Sequence, residues 1–334
     1  MKKLVLLLFC FCQLTSYSQD STAFKPSGKV IARAFFDYST DFGKESGFDI
    51  TRAFLGYEYR ITPTLRGQVI LDGAAGKKDD RFEVYVRNAF INWNDYNFNV
   101  NAGLTGLLQF SLQEKYWMHR YVMKSFQDLN SMAPSVDLGV TAEYNFAPFL
   151  TADISLTNGS GYKEVKKSDS KRYALGLTVK PVKNTVFRVY TDIYNEGEEM
   201  RDALPEGLTE GNYKNQYTLS LFAGYQNSRV SGGVEFNKVY NKGFIKGKDY
   251  YGYSFYTSVK LLPKWRAYAR YDIMDSDSPD SFAEPWNGKD GQLIMGGVEF
   301  VPVKYIKISP NFRNINPDRS GSEQYLFVNV EFRL

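Results

Sequence analysis

Val136-Asp137-Leu138-Gly139-Val140-Thr141-Ala142-Glu143-Tyr144 alternates apolar and polar residues without a break. In an extended chain successive side chains point to opposite faces. Val136, Leu138, Val140, Ala142 and Tyr144 therefore share one face, and Asp137, Gly139, Thr141 and Glu143 the other. One face suits lipid and the other water. The same pattern sets Trp265, Ala267, Ala269 and Tyr271 against Arg266, Tyr268, Arg270 and Asp272, and Ile306, Ile308 and Phe312 against Lys307, Ser309, Asn311 and Arg313. A charged face on strand after strand is wrong for a packed core but right for a water-filled lumen.

Working outward, segments of roughly ten residues, the length of a tilted membrane strand, recur along the chain. They fall at 28–39, 47–60, 63–73, 81–94, 96–105, 135–146, 149–157, 170–181, 184–195, 214–226, 228–240, 249–261, 264–275, 290–301, 304–313 and 323–334. The reading is an all-β transmembrane antiparallel barrel of about sixteen strands, an even number as closure favours. At 81–94 Arg87 and Asn88 interrupt the alternation and mark a candidate bulge. Connections alternate between short (such as 61–62, 181–183 and 302–304) and long (40–46, 74–80, 106–134, 158–169, 196–213, 241–248, 276–289 and 314–322). Tight turns at one rim and large loops at the other is the asymmetry of outer-membrane barrels, with turns and both termini on the periplasmic side. The chain stops inside its last alternating segment, with Leu326, Val328, Val330, Phe332 and Leu334 on one face, as a strand closing against the first one would.

The first residues agree with export. Lys2 and Lys3 precede the apolar run Leu4 to Cys12, and Ser16-Tyr17-Ser18 before Gln19 puts small residues where a signal peptidase reads them. Residues 1–18 read as a signal peptide and 19–334 as the mature barrel. Cys10 and Cys12 are the only cysteines, so the mature chain has no thiol for a disulfide, a metal or catalysis. Removing Lys2 and Lys3 takes the formal charge from +4 to +2, and nothing clusters basic charge as a nucleic-acid surface would. No later segment approaches the roughly 18 apolar residues of a membrane helix. The 25 Tyr, 25 Phe and 27 Gly fit a barrel in which only the outward half of each strand must be apolar.

The long connection 106–134 breaks the two-residue period. Aromatic and basic residues three and four apart suggest a partly helical loop. Folded into the barrel, it would narrow the pore and set Lys115, His119, Arg120 and Lys124 beside the passing solute; folded outward, it would pack on a neighbouring subunit or on lipopolysaccharide. Arg52, Arg188, Arg266, Arg270 and Arg313 are the lumen-facing arginines singled out, and Asp72, Asp137, Glu143, Asp153, Asp272 and Glu299 oppose them. His119 is the sole histidine, so any serine or carboxylate relay must use it, yet no spacing selects a nucleophile. No catalytic residue, cofactor or metal site is expected.

Gln113-Glu114-Lys115-Tyr116-Trp117 leading to Arg120-Tyr121 and Lys124-Ser125-Phe126, then Asp137-Leu138-Gly139, Asn158-Gly159-Ser160-Gly161-Tyr162 and Lys307-Ile308-Ser309-Pro310-Asn311-Phe312-Arg313, resembles the phosphate-selective porin O/P family. The resemblance implies a sixteen-stranded, usually trimeric pore with inward loops and basic residues that guide anions. The near balance of inward charge departs from that pattern, because strong anion selectivity needs an excess of one sign. The expected function is a weakly selective outer-membrane porin passing small hydrophilic solutes or ions, with outer-membrane lipid, lipopolysaccharide and copies of itself as partners. The alternatives are a structural or adhesive barrel and an outer-membrane hydrolase.

Overall fold

The computed structural model describes residues 24–43, 45–75, 82–163, 169–197, 210–279 and 286–334. The expected signal peptide and parts of several long connections lie outside these residues. Sixteen strands are present among them. They are β1 (Ser27–Thr40), β2 (Ser46–Arg60), β3 (Leu65–Ala75), β4 (Phe82–Asp95), β5 (Phe98–Gly106), β6 (Val136–Ala147), β7 (Leu150–Thr157) and β8 (Arg172–Val179). The second half comprises β9 (Thr185–Tyr194), β10 (Gln216–Gln226), β11 (Val230–Tyr240), β12 (Asp249–Leu262), β13 (Trp265–Asp277), β14 (Gly291–Val303), β15 (Ile306–Pro317) and β16 (Glu323–Arg333).

Each strand pairs antiparallel with the next in sequence, and β16 pairs with β1, closing the barrel. At the seam Phe35 lies opposite Glu331, and the Leu334 amide donates to the Ala32 carbonyl at 2.9 Å. Closure leaves no strand edge unpaired.

The alternation read in the sequence becomes an inside and an outside. Leu55, Ile91 and Ile154 are more than half exposed on the outer surface, whereas Asp137, Asn237 and Ser254 are fully buried within. Polar inside and apolar outside inverts a water-soluble domain and is what a barrel surrounded by hydrocarbon requires. The largest boundary shift is in β15, expected at 304–313 and found at Ile306–Pro317, because pairing with β14 continues until Gly291 meets Pro317.

The interruption in β4 is a bulge. The register jumps between Ile70 and Leu71, which face Asn88 and Val86, so Arg87 is the extra residue. A bulge turns consecutive side chains to the same side, and Arg87 and Asn88 both line the lumen.

Between β5 and β6 the chain forms α1 (Leu108–Trp117) and α2 (Phe126–Leu129). Met118, at φ 64°, stops α1. The helix packs against the inner faces of β10, β11 and β12, so this segment sits inside the barrel.

Candidate pore constriction

Two glycines make room for the loop. A Cβ on Gly224 would meet the Tyr116 ring at 2.8 Å and one on Gly252 the Phe126 ring at 2.5 Å, while Gly233 gives room to the wall rings Phe222 and Tyr256. Bare backbone at the first two positions lets aromatic rings of the loop lie against the wall. Trp117, 1% exposed, packs edge-on against Tyr256 and Tyr268 and donates from Nε1 to the Met123 carbonyl at 2.8 Å. Tyr116, Tyr121 and Met123 complete the same buried cluster.

Polar groups of the wall then hold the loop backbone. Arg313 donates to the Val122 carbonyl at 2.9 Å, Arg270 to that of Lys124 at 2.6 Å, Lys289 to that of Leu129 at 2.6 Å and Lys242 to that of Ser131 at 2.6 Å. On α1, Gln109 Oε1 accepts from Arg188 Nε at 2.9 Å. Burial pulls the Lys242 ammonium down to about 8.

The loop divides the lumen into two chambers. The one toward the long loops has a volume of about 820 Å³, and Arg52, Asp72, Arg120, Lys124, Tyr162 and Lys242 are among its walls. The one toward the short turns has about 320 Å³ and is bordered by Arg66, Arg87, Asn99, Asn101 and Gln109. Arg52 of the larger chamber and Arg87 of the smaller one share the Phe54 ring, with their guanidinium groups over it at 4.4 Å and 5.1 Å.

The charge there is laid out transversely. On the wall Arg52 binds Asp72 at 2.6 Å and reaches Tyr162 Oη at 3.1 Å, while Arg87 has no carboxylate within ion-pair reach among the described residues. Across from them Arg120 bridges Glu114 at 3.0 Å and Asp128 at 2.8 Å, so its charge is spent within the loop. Burial lowers the Lys124 pKa, and the Tyr162 hydroxyl is pushed up to about 12, mainly by burial, so it stays a donor to Asp72.

The glycine-rich connection after β7 serves this arrangement. Asp137 accepts from the amides of Gly159 at 2.5 Å and Gly161 at 3.2 Å, both at positive φ, and the chain so bent delivers Tyr162 to the Arg52–Asp72 pair.

Of the residues expected at the solute's path, Arg120 and Lys124 line the larger chamber, and Lys124 remains half exposed. Lys115 is exposed but lines neither chamber. His119 does not face the solute: it is fully buried, stacked on Tyr268 at 4.1 Å, because aromatic packing draws it under the loop. Its Nε2 is 2.9 Å from Ser258 Oγ and its Nδ1 3.4 Å from Glu299 Oε2. This row has the order of a hydrolase relay, yet Ser258 is 1% exposed and lines neither chamber, so it works as an anchor. Burial lowers the His119 pKa and keeps the ring neutral.

Of the expected lumen arginines, Arg52 and Arg313 border the larger chamber. Arg266 is partly exposed, close to Ser258. Arg188 and Arg270 point inward but are 2% exposed, paired with Asp153 and Asp272 and covered by the loop, so they do not meet the solute as free cations. Arg87, Phe54, Tyr162 and the inward asparagines were not singled out as site residues; the broken alternation at Arg87-Asn88 was the one available signal.

No family model matches the chain, and no curated relative matches it. Solved structures do. Salmonella typhi OmpF in complex with daunomycin is 11% identical, with a TM-score of 0.71, over 92% of this chain and 97% of that one. Pseudomonas putida OprB is 8% identical at a TM-score of 0.68, over 92% and 94%, and an anion-selective porin from Comamonas acidovorans is 11% identical at 0.67, over 93% and 100%. At such identities the likeness shows the fold, which is the closed sixteen-stranded barrel of the porins.

Proposed function

We propose that this protein is an outer-membrane porin of a Gram-negative bacterium, exported by its signal peptide, and that small hydrophilic solutes and ions diffuse through it passively. The observation that carries this reading is the loop anchored inside a closed barrel, which leaves one charged chamber on each side of it. Low-dielectric walls focus the field of those charges on whatever passes. Arg52, Arg87 and Lys124 stand against Asp72, Glu114 and Asp128, with Arg120 shared, so selectivity is weak with a slight preference for anions. A specific phosphate site has less support, since these basic side chains other than Arg87 stand beside carboxylates. We also propose assembly as a trimer. The exposed apolar outer face of β1–β5, with Leu55, Val69 and Ile91 beside the small pair Ala34 and Ala53, suits a second copy.

Planar bilayers test the pore. Purified protein is expected to add conductance in uniform steps, with a reversal potential close to zero in a KCl gradient. Silence over many insertions overturns the channel in favour of a structural barrel.

A further inference from the structure

The smaller chamber differs from the larger in chemistry. Its wall is crossed by a hydrogen-bonded chain of mostly uncharged groups. Arg66, paired with Glu58 at 2.5 Å, donates to Asn92 Oδ1 at 2.9 Å. Asn92 Nδ2 donates to Asn99 at 2.6 Å and Asn101 at 2.9 Å, and Asn101 donates to Thr141 at 3.1 Å. These bonds span β2 to β6 and hold each amide in one orientation. Asn99 Nδ2 and Gln68 Oε1 are left without a protein partner among the described residues.

Two further donors are orphaned at the same chamber. Gln109 is 1% exposed; its Oε1 is taken by Arg188, and its Nε2 has no partner. Arg87 Nε, also buried, has none either. Both atoms are closed to solute, whereas the half-buried Asn99 and Gln68 line the passage with a free donor and a free acceptor, so the lining is set for a guest that brings hydrogen-bonding groups of its own.

Charge says which guest. Arg66 is paired with Glu58 and Arg188 with Asp153, which leaves one further cation, Arg87, and one further carboxylate, Glu143, on the lining. An anion gains one guanidinium and meets a carboxylate; an uncharged guest meets neither obstacle. Free amide donors and acceptors together match hydroxyl groups, which both donate and accept. The half-buried Phe90 ring supplies an apolar face for the C–H side of a flat ring. About 320 Å³ lies at the small end of small-ligand sites.

We infer that this chamber is a transit site for small neutral saccharides, one sugar ring at a time, recognised by Gln68, Asn99, Asn101 and Arg87. The inference rests on the reading of the chain as an open pore and names the solute class for it.

The test is swelling of liposomes holding the full chain, in isotonic glucose, gluconate or tetraethylene glycol. Gluconate is close in size but anionic; tetraethylene glycol is uncharged but has hydroxyls only at its ends. Glucose is expected to enter about three-fold faster than either, the worth of one or two hydrogen bonds. Asn99→Ala with Asn101→Ala should erase that advantage while KCl conductance stays near the parent value. Gluconate fastest would make this an anion site, and entry ordered by size alone, or a glucose advantage that survives the double variant, would also overturn the inference. Should the protein pass no KCl, the pore reading fails; calorimetric titration of glucose into the detergent-solubilised protein then decides the site, with no heat in parent and variant alike counting against it.

Discussion

Arg270 in the regular run of β13 and Arg87 at the bulge of β4 both point inward into the same lumen, yet they meet opposite surroundings. Arg270 is sealed under the loop, doubly bonded to Asp272 and capped by the Lys124 carbonyl. Arg87 stands on the uncovered wall with no acidic partner among the described residues. The lumen thus has two walls. From β9 to β15 the cations hold the loop; from β2 to β7 the side chains face the passage. Inward orientation makes a residue available to the lumen, and the loop decides whether solute reaches it.

The largest expected effect breaks the comparison outright. Deleting residues 114–126 removes Glu114, Lys115, Arg120 and Lys124 and the cover over Arg270 and Arg313, so both walls become alike. Conductance should rise on the order of two-fold while the reversal potential changes little, because the loss of Arg120, Lys124 and Glu114 is offset by the uncovered Arg313, provided far-ultraviolet circular dichroism shows the barrel intact. An unchanged conductance would mean that the segment does not narrow the pore.

Single arginines come next. Arg270→Ala leaves Asp272 buried without its partner, which costs about 3–5 kcal/mol and should lower the melting temperature of the barrel. Arg87→Ala removes no ion pair, so its stability should stay within about 0.5 kcal/mol while the reversal potential shifts toward cations. If Arg87→Ala destabilised as much as Arg270→Ala, the two walls would not differ as described.

The smallest effect sharpens the picture at the loop's far end. Lys242, with its pKa pulled to about 8 by burial, should lose its charge as the pH rises from 7 to 9. The sign follows from the depressed value: the folded protein binds fewer protons than the unfolded chain between about 8 and the ordinary lysine value, so alkali does not destabilise through this group. The large chamber loses one positive charge, and anion preference should weaken slightly. Lys242→Met should abolish that pH dependence, and a variant that kept it would assign it to another group.

The alternation of Val136 to Tyr144, the parity of short and long connections and the final run to Leu334 were enough to give the closed barrel, its strand number and the inward set. A membrane barrel writes its fold locally, because each strand must satisfy two solvents at once whatever its neighbours do. Even the bulge announced itself, as two polar residues side by side at Arg87-Asn88. The fate of the inward set was not written there. His119, Arg188 and Arg270 looked like any other lumen residues until Tyr116 and Phe126 found the space over Gly224 and Gly252. That match joins segments more than a hundred residues apart, and it depends on shape and on the absence of side chains, neither of which leaves a period in the sequence. Tertiary packing alone decided which charges face water and which are spent holding the loop.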